Sequence, residues 1–437
     1  MNKIVASLGL VAIGASGLQV MAADDLGAPA SKIWNVSASL RGFYDDNINT
    51  AHGGTNKVDS MGFEVAPGVG LNWEGEATSV SLNYLYSFKY YDKRQAGNTE
   101  NYDQTHTFNV ELQHAFNSRY HVAASDSFVV GQEPDALRVP NSSIAVPQVI
   151  PGNNIRNYGS VVFDAQMTPT FNLELNYKNS YFDYADDFNA ALNPPGQPVT
   201  PSNSGLLDRD ENLIAVEGHW LLQPETTGIV GYQFGAINYT GNELISGNNP
   251  PTILPSFMSD SRNSYSHYGY VGANHAFNPD FKGAAKAGVQ YTDNYNDPTG
   301  KNDVSPYIVL SLDYTYAPES RVEIGFSQSQ SPANSAAPSG NSIVRNSDVS
   351  LLYGSITHRI TPRLFGSIMG TFQNSIYNGG AIDGDSEQFY QLGLNLKYRF
   401  NRYFSAEVGY NFDDLQSYAS NLSYTRNRVY LGIGATY

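Results

Sequence analysis

The stretch FNLELNYK, residues 171–178, decides the fold. Phe171, Leu173, Leu175 and Tyr177 share one parity, and Asn172, Glu174, Asn176 and Lys178 share the other. In an extended strand successive side chains point to opposite faces, so this segment is a strand with one apolar and one polar face. The same alternation returns in VSLNYLYSFKYY (80–91), FNVELQ (108–113), IVLSLDYTY (308–316), VEIGFS (322–327), QLGLNLKYRF (391–400) and FSAEVGYNFD (404–413). Helical spacing is not sustained anywhere beyond the first residues.

The segments between these strands alternate between two kinds. Tight connections fall at 73–77, 116–120, 167–171, 222–227, 277–281, 317–321, 360–364 and 400–404. They carry Asn, Pro, Gly, Asp or Thr, residues that preset or tolerate turn geometry. Longer polar connections fall near 46–58, 93–102, 131–155, 185–208, 241–262, 294–303, 331–346, 379–385 and 414–423. This alternation predicts an all-β fold: a single transmembrane antiparallel β-barrel of about 18 strands, with short periplasmic turns and long extracellular loops. β-Propellers and β-solenoids also use many short strands, but they need no alternation of short and long connections and no aromatic rims. Here Tyr86, Phe88 and Tyr90 near one loop, and Tyr398, Phe400 and Phe404 near one turn, read as the two aromatic girdles of a membrane barrel.

Composition agrees. Of 437 residues, 31 are Tyr and 21 are Phe, and only 15% are charged, against about 25% in a typical soluble domain. No stretch of distinct composition divides the chain. With no cysteine there is no disulfide framework and no thiolate metal site. A formal net charge of −16 argues against nucleic acid as a partner.

The opening residues, MNKIVASLGLVAIGASGLQVMAADD, have a positive Lys3, a short apolar run from Ile4 to Gly14, and small residues before a cut near Ala22. This pattern predicts a secretory signal peptide over 1–22, leaving 23–437 as the barrel. The expected location is the outer membrane of a Gram-negative bacterium. The expected partners are outer-membrane lipid and lipopolysaccharide, the barrel-assembly machinery, and small hydrophilic solutes or polysaccharide.

The final fourteen residues, YTRNRVYLGIGATY (424–437), alternate down to an aromatic end. With the preceding strand they resemble the closing hairpin of the second putative β-barrel porin family, bacterial outer-membrane barrels of which some are encoded beside exopolysaccharide genes. The likeness rests on Tyr424, Arg426, Asn427, Arg428, Gly432, Gly434 and the terminal aromatic. The resemblance implies a porin-like barrel in which Tyr437 resembles the signal read by the assembly machinery. It brings no catalytic residues with it.

In such a barrel the apolar parity faces lipid and the polar parity faces the lumen. The candidate pore-lining residues are Arg41, Lys89, Glu111, Glu174, Lys178, Lys286, Asp313, Arg321, Glu323, Lys397, Arg399, Glu407, Asp413, Arg426 and Arg428. Lipid exposure would cost about 2–4 kcal/mol for an Arg or Lys at the midplane, which drives these side chains inward. The mixed charges of the last three strands suit either a transverse field or a salt-bridged seam where first and last strands meet. No segment has the length of a separate plug domain, so loops must do any narrowing. The third loop (131–156), with its apolar Ile144–Ile150, either folds inward or packs with loops 185–208 and 241–262 as a surface cap.

Enzyme signals are absent. The eight histidines form no H-E-x-x-H, and there is no G-x-S-x-G and no P-loop. DNYNDPTGKND (293–303) offers oxygen ligands but lacks EF-hand spacing. The expectation is no enzyme, no metal and no cofactor. The function expected is an outer-membrane channel for passive diffusion of small hydrophilic solutes. The alternative is an accessory barrel in exopolysaccharide export or surface assembly.

Overall fold

The computed structural model describes residues 33–52, 57–94, 100–132, 152–189, 191–248, 256–418 and 422–437. The expected signal peptide, residues 1–22, lies outside these residues.

Alternating side chains and tight turns build one antiparallel sheet of eighteen strands. Its strands are β1 (Trp34–Asp45), β2 (Ser60–Glu74), β3 (Thr78–Tyr91), β4 (Tyr102–Ala115), β5 (Tyr120–Gly131), β6 (Asn154–Thr168), β7 (Phe171–Tyr184), β8 (Arg209–Gln223) and β9 (Thr226–Tyr239). A short hairpin, β10 (Leu244–Ser246) and β11 (Phe257–Met258), stands apart inside a loop. The sheet resumes with β12 (Ser264–Asn278), β13 (Phe281–Asp293), β14 (Asp303–Ala317), β15 (Ser320–Pro332), β16 (Val344–Arg359), β17 (Leu364–Gly379), β18 (Ser386–Arg399), β19 (Phe404–Ser417) and β20 (Tyr424–Thr436). Every tight connection read from the sequence is a turn between neighbouring strands. The long loops are shorter than expected in places: β19 runs on to Ser417, and β15 and β16 continue to Pro332 and from Val344.

β1 pairs with β20 from Ser37↔Thr436 to Asp45↔Arg428, which closes the sheet into a barrel. Closure is required in lipid, which offers no hydrogen bonds to a free strand edge. The chain end is part of the closure. Tyr437 N–H donates to Val36 O at 2.9 Å, Val36 N–H donates to Tyr437 O at 3.1 Å, and the Tyr437 ring lies 5.8 Å from Trp34 and 6.1 Å from Tyr403.

The two faces separate as the alternation demands. Leu40, Val429, Leu431 and Ile433 are exposed on the outside, while Arg41, Arg426 and Tyr430 on the other parity are buried. Aromatics rim the outer face at both ends. Tyr398, Phe400 and Phe404 are exposed beside one turn, and Phe63 packs on Phe88 and Tyr90 at the loop end. Inward tyrosines lie against the wall over a glycine on the next strand: Tyr270 opposes Gly231, Tyr353 opposes Gly325, and Tyr430 opposes Gly409. A Cβ at any of these glycines would collide with the ring.

The lumen wall and its mouth

All fifteen candidate pore-lining residues lie on the inward parity, but the structure sorts them into different settings. The closing strands form a salt-bridged seam. Arg426 Nε and Nη2 donate to Asp45 Oδ2 at 2.8 and 2.5 Å. Arg428 Nη2 donates to Asp413 Oδ2 at 2.8 Å. Arg41 Nε donates to Glu407 Oε1 at 2.6 Å, and its Nη1 lies 3.8 Å from Glu64 Oε2. The guanidinium of Arg41 also sits 5.3 Å from the Tyr430 ring centre. Ser87 donates to Glu64, and Asn395 to Glu407, so the carboxylates are hydrogen-bonded as well as paired. Lys397 stands directly opposite Glu407 in register, and Arg399 lies 4.0 Å from the Phe365 ring centre. Of the two sequence readings, the geometry of the last strands is that of a seam.

A second group forms on the far wall. Glu174 and Glu217 are register partners on β7 and β8. Glu217 Oε1 accepts from Lys286 Nζ at 2.5 Å and from Tyr270 Oη at 2.6 Å, and His219 Nε2 lies 3.0 Å from Glu217 Oε2 and 3.8 Å from Glu174 Oε2. Glu174, Glu217 and His219 place ligand atoms within 4.8 Å of one another. The Lys286 ammonium pairs with Glu217 Oε1, which makes an ion pair part of the group. Lys178, two steps of the alternation above Glu174, makes no ion pair among the described residues. Further round, Arg321 pairs with Asp313 and with Glu323. Lys89, Glu111, Glu174, Lys178, Lys286, Asp313 and Glu323 remain half-exposed, and Arg321 is exposed. This half of the interior is a charge-mixed wall.

The loop end is different. A five-residue helix, α1 (Asn203–Leu207), is capped by Ser202 Oγ, which accepts from Gly205 N–H at 2.9 Å. Its Leu207 packs on inward-facing Phe182 and Tyr184. Ile245 and Phe257 of the β10–β11 hairpin pack with Ala336 and Ile343 of the loop after β15. Arg262 ties the three loops together. Its guanidinium donates to the carbonyls of Gly205, Leu206 and Ala333 and lies 4.1 Å from the Tyr239 ring centre. Arg209 pairs with Glu211 at 2.7 Å over Phe182, and Arg345 pairs with Asp303 at 3.0 Å and reaches Asp297 at 3.6 Å. Asp297 and Asp303 of the 293–303 segment therefore face an arginine. Asp208 accepts from Tyr184 N–H and from Ser204 Oγ, and burial pushes its carboxyl up to about 6.

The described residues of loops 185–208, 240–263 and 333–343 thus pack together at the mouth. Two of these are members of the surface cap considered from the sequence, and 333–343 is an addition. The apolar part of the third loop, Ile144–Ile150, and most of 251–257 lie outside the described residues.

Sequence reasoning missed Asp45, Glu64, Glu217, His219, Arg209, Glu211, Arg262 and Arg345. Strand β8 carries Leu213 and Ala215 on its inward parity, next to outward Ile214 and Val216. That blurs the alternation which would have pointed to Glu217. Arg262 sits in a loop, where no periodicity exists to read.

The model of the family described as Putative beta-barrel porin 2 matches residues 33–437. Among solved structures, the chain is similar to the outer membrane protein opdK from Pseudomonas aeruginosa, at 11% identity, covering 92% of this chain and 99% of that one with a TM-score of 0.43. It is similar to OccAB4 from Acinetobacter baumannii at 12% identity, covering 93% and 99%, TM-score 0.43. It is also similar to a BenF-like porin from Pseudomonas fluorescens Pf-5 at 9% identity, covering 92% and 99%, TM-score 0.44. No curated protein sequence matches the chain.

Proposed function

The chain belongs to the Putative beta-barrel porin 2 family, and from that membership and the lumen wall we propose that it is an outer-membrane channel through which small hydrophilic solutes diffuse passively. Family and fold point to a channel rather than an enzyme, in the outer membrane of a Gram-negative bacterium. The observation that carries the reading is the inward wall of half-exposed Lys178, Glu174, Lys286, Asp313 and Glu323 and exposed Arg321 inside a closed sheet. A polar lumen of this width holds water unless plugged, and paired charges on its wall supply hydrogen-bonding partners to a hydrated solute without a single-sign barrier. The candidate residues act here as the pore lining, with the seam serving closure and the far wall facing the solute path. The packed loops set the size limit at the mouth. Residues 1–22 act as the secretory signal, and the strand ending in Tyr437 as the element engaged by the assembly machinery.

Planar-bilayer recording of the purified protein tests this. Stepwise conductance is expected, larger in Arg262→Ala, where the tie between the three loops is cut. An intact barrel that conducts in neither form would overturn the channel reading and favour the accessory role in polysaccharide export.

A further inference from the structure

The tetrapeptide His-Ala-Phe-Asn occurs twice, at 114–117 and 275–278, each time where a strand enters a tight turn. The turn explains only part of it. Asn117 Oδ1 accepts from the backbone N–H groups of Arg119 and Tyr120, and Asn278 Oδ1 accepts from that of Asp280. Phe-Asn returns at 400–401, where Asn401 Oδ1 accepts from the N–H groups of Tyr403 and Phe404. At all three turns the residue two before Phe is an outward ring packed edge-on against it. His114 lies at 4.6 Å and 84°, His275 at 4.7 Å and 81°, and Tyr398 at 5.2 Å and 74°. That position therefore takes a ring with a polar edge, the kind of side chain that gathers at a membrane–water interface.

The two histidine copies share more than the turn. His114 on β4 stands opposite Thr78 on β3, and His275 on β12 stands opposite Thr226 on β9. The threonine hydroxyl lies 2.7 Å from Nδ1 in the first pair and 2.9 Å in the second. Across the preceding tight turn from each threonine is an outward, exposed tryptophan, Trp73 or Trp220. With Trp34 these are all the tryptophans of the chain, and all three stand at the tight-turn end. Tryptophan collects at the level of the lipid headgroups, so the two units lie there rather than in hydrocarbon. A hydroxyl that donates to Nδ1 leaves the hydrogen of the neutral ring on Nε2. Neither Nε2 has a hydrogen-bond partner among the described residues. Each unit thus keeps one N–H donor for an acceptor outside the chain.

We propose that His114 and His275 each donate from Nε2 to a phosphate oxygen of a phospholipid in the leaflet at the tight-turn end. The short turns of an outer-membrane barrel are periplasmic, and glycerophospholipid fills that leaflet. Lipid covers the outer face of the barrel, and the phosphate is its anionic acceptor at the depth of the aromatic rim. A hydrogen bond to a charged acceptor is stronger than one to a neutral ester carbonyl. Thr78 and Thr226 are positioning residues that hold the ring and fix which nitrogen carries the hydrogen. The exposed Phe and Trp of each unit give the lipid an apolar flank.

Solid-state NMR of the purified barrel tests this, with 15N-labelled histidine in phosphatidylglycerol bilayers and phosphate-free buffer. Dipolar dephasing by lipid 31P is expected on Nε2 of His114 and of His275 and not on their Nδ1. The signals are assigned by their loss in His114→Phe and His275→Phe. Heat-modifiable gel migration shows whether each variant has folded, and Gln replaces Phe where it has not. Thr78→Val releases Nδ1 of His114, so dephasing should weaken at His114 and stay unchanged at His275. Inward His219 should show none. Absence of dephasing at both Nε2 atoms, dephasing at Nδ1 in their place, equal dephasing at His219, or no change at His114 in Thr78→Val would overturn the proposal.

Discussion

Replacing Asp45 by Asn should weaken the closure of the barrel more than any other single change in the wall. Both Arg426 nitrogens that face β1 donate to one oxygen of Asp45, at 2.8 and 2.5 Å, while Asp45 Oδ1 accepts from Asn47 N–H at 3.0 Å. The two side chains are 1% and 6% exposed, so water does not take over when the pair is cut. Removing one partner of such a pair leaves a buried charge uncompensated and costs about 3–5 kcal/mol. The substitution is nearly isosteric, so the loss is electrostatic rather than a cavity. Urea titration of folding into phosphatidylcholine vesicles, followed by Trp fluorescence and by band shift on cold gels, measures it. The double change Asp45→Asn with Arg426→Met should recover most of the loss, because a buried pair and an apolar replacement are close in free energy. Added salt should leave the difference nearly unchanged, since screening acts on exposed pairs. A loss below about 1 kcal/mol in Asp45→Asn, the size of an exposed pair, would refute the view that the seam is dry and holds the sheet shut.

Four further outcomes follow from the same geometry. Gly409→Ala puts a methyl group into the Tyr430 ring and breaks the Asn395 bond to Tyr430 Oη; the overpacking should cost about 1–3 kcal/mol in the same titration. Tyr437→Ala removes two ring contacts at the closure, each worth about 0.5–1.5 kcal/mol, and should lower outer-membrane levels while leaving periplasmic delivery intact, as quantified by fractionation. Asp208 binds its proton more tightly folded than unfolded, because burial raises its pKa from 3.8 to about 6; its contribution to the loop packing is full below the unfolded value and lost as pH rises through the folded one. Amide exchange, corrected for its intrinsic pH dependence, should therefore show α1 better protected at pH 5 than at pH 7.5, and Asp208→Asn should remove the difference. Lys178→Glu reverses an unpaired inward charge, so the zero-current potential in a salt gradient should move toward cation preference, whereas an unchanged potential would mean that Lys178 is off the solute path.

The parity of each strand, the turns and the strand number were legible in the chain because each is local. A face alternates every second residue, and a tight turn declares itself in four or five residues. That is why FNLELNYK and its repeats led to the barrel, and why all fifteen candidates lie on the inward parity. Partners were another matter. Arg41 meets Glu407 and Arg426 meets Asp45 across sequence separations of 366 and 381 residues, and only closure of β1 on β20 makes them neighbours. Glu217 was hidden because inward Leu213 sits against packed tyrosines and inward Ala215 is buried beside it, so β8 is apolar on both faces over that stretch.

By itself, then, the sequence determined a closed sheet with an apolar outside and a charged inside, because backbone pleat and lipid leave no other use for that periodicity. The tertiary structure alone decided that the last arginines, Arg426 and Arg428, pair with Asp45 and Asp413. It also decided that Arg262 gathers three loops at the mouth. Register and loop packing set which side chains come within hydrogen-bonding distance, and those are properties of the closed barrel rather than of any segment in it.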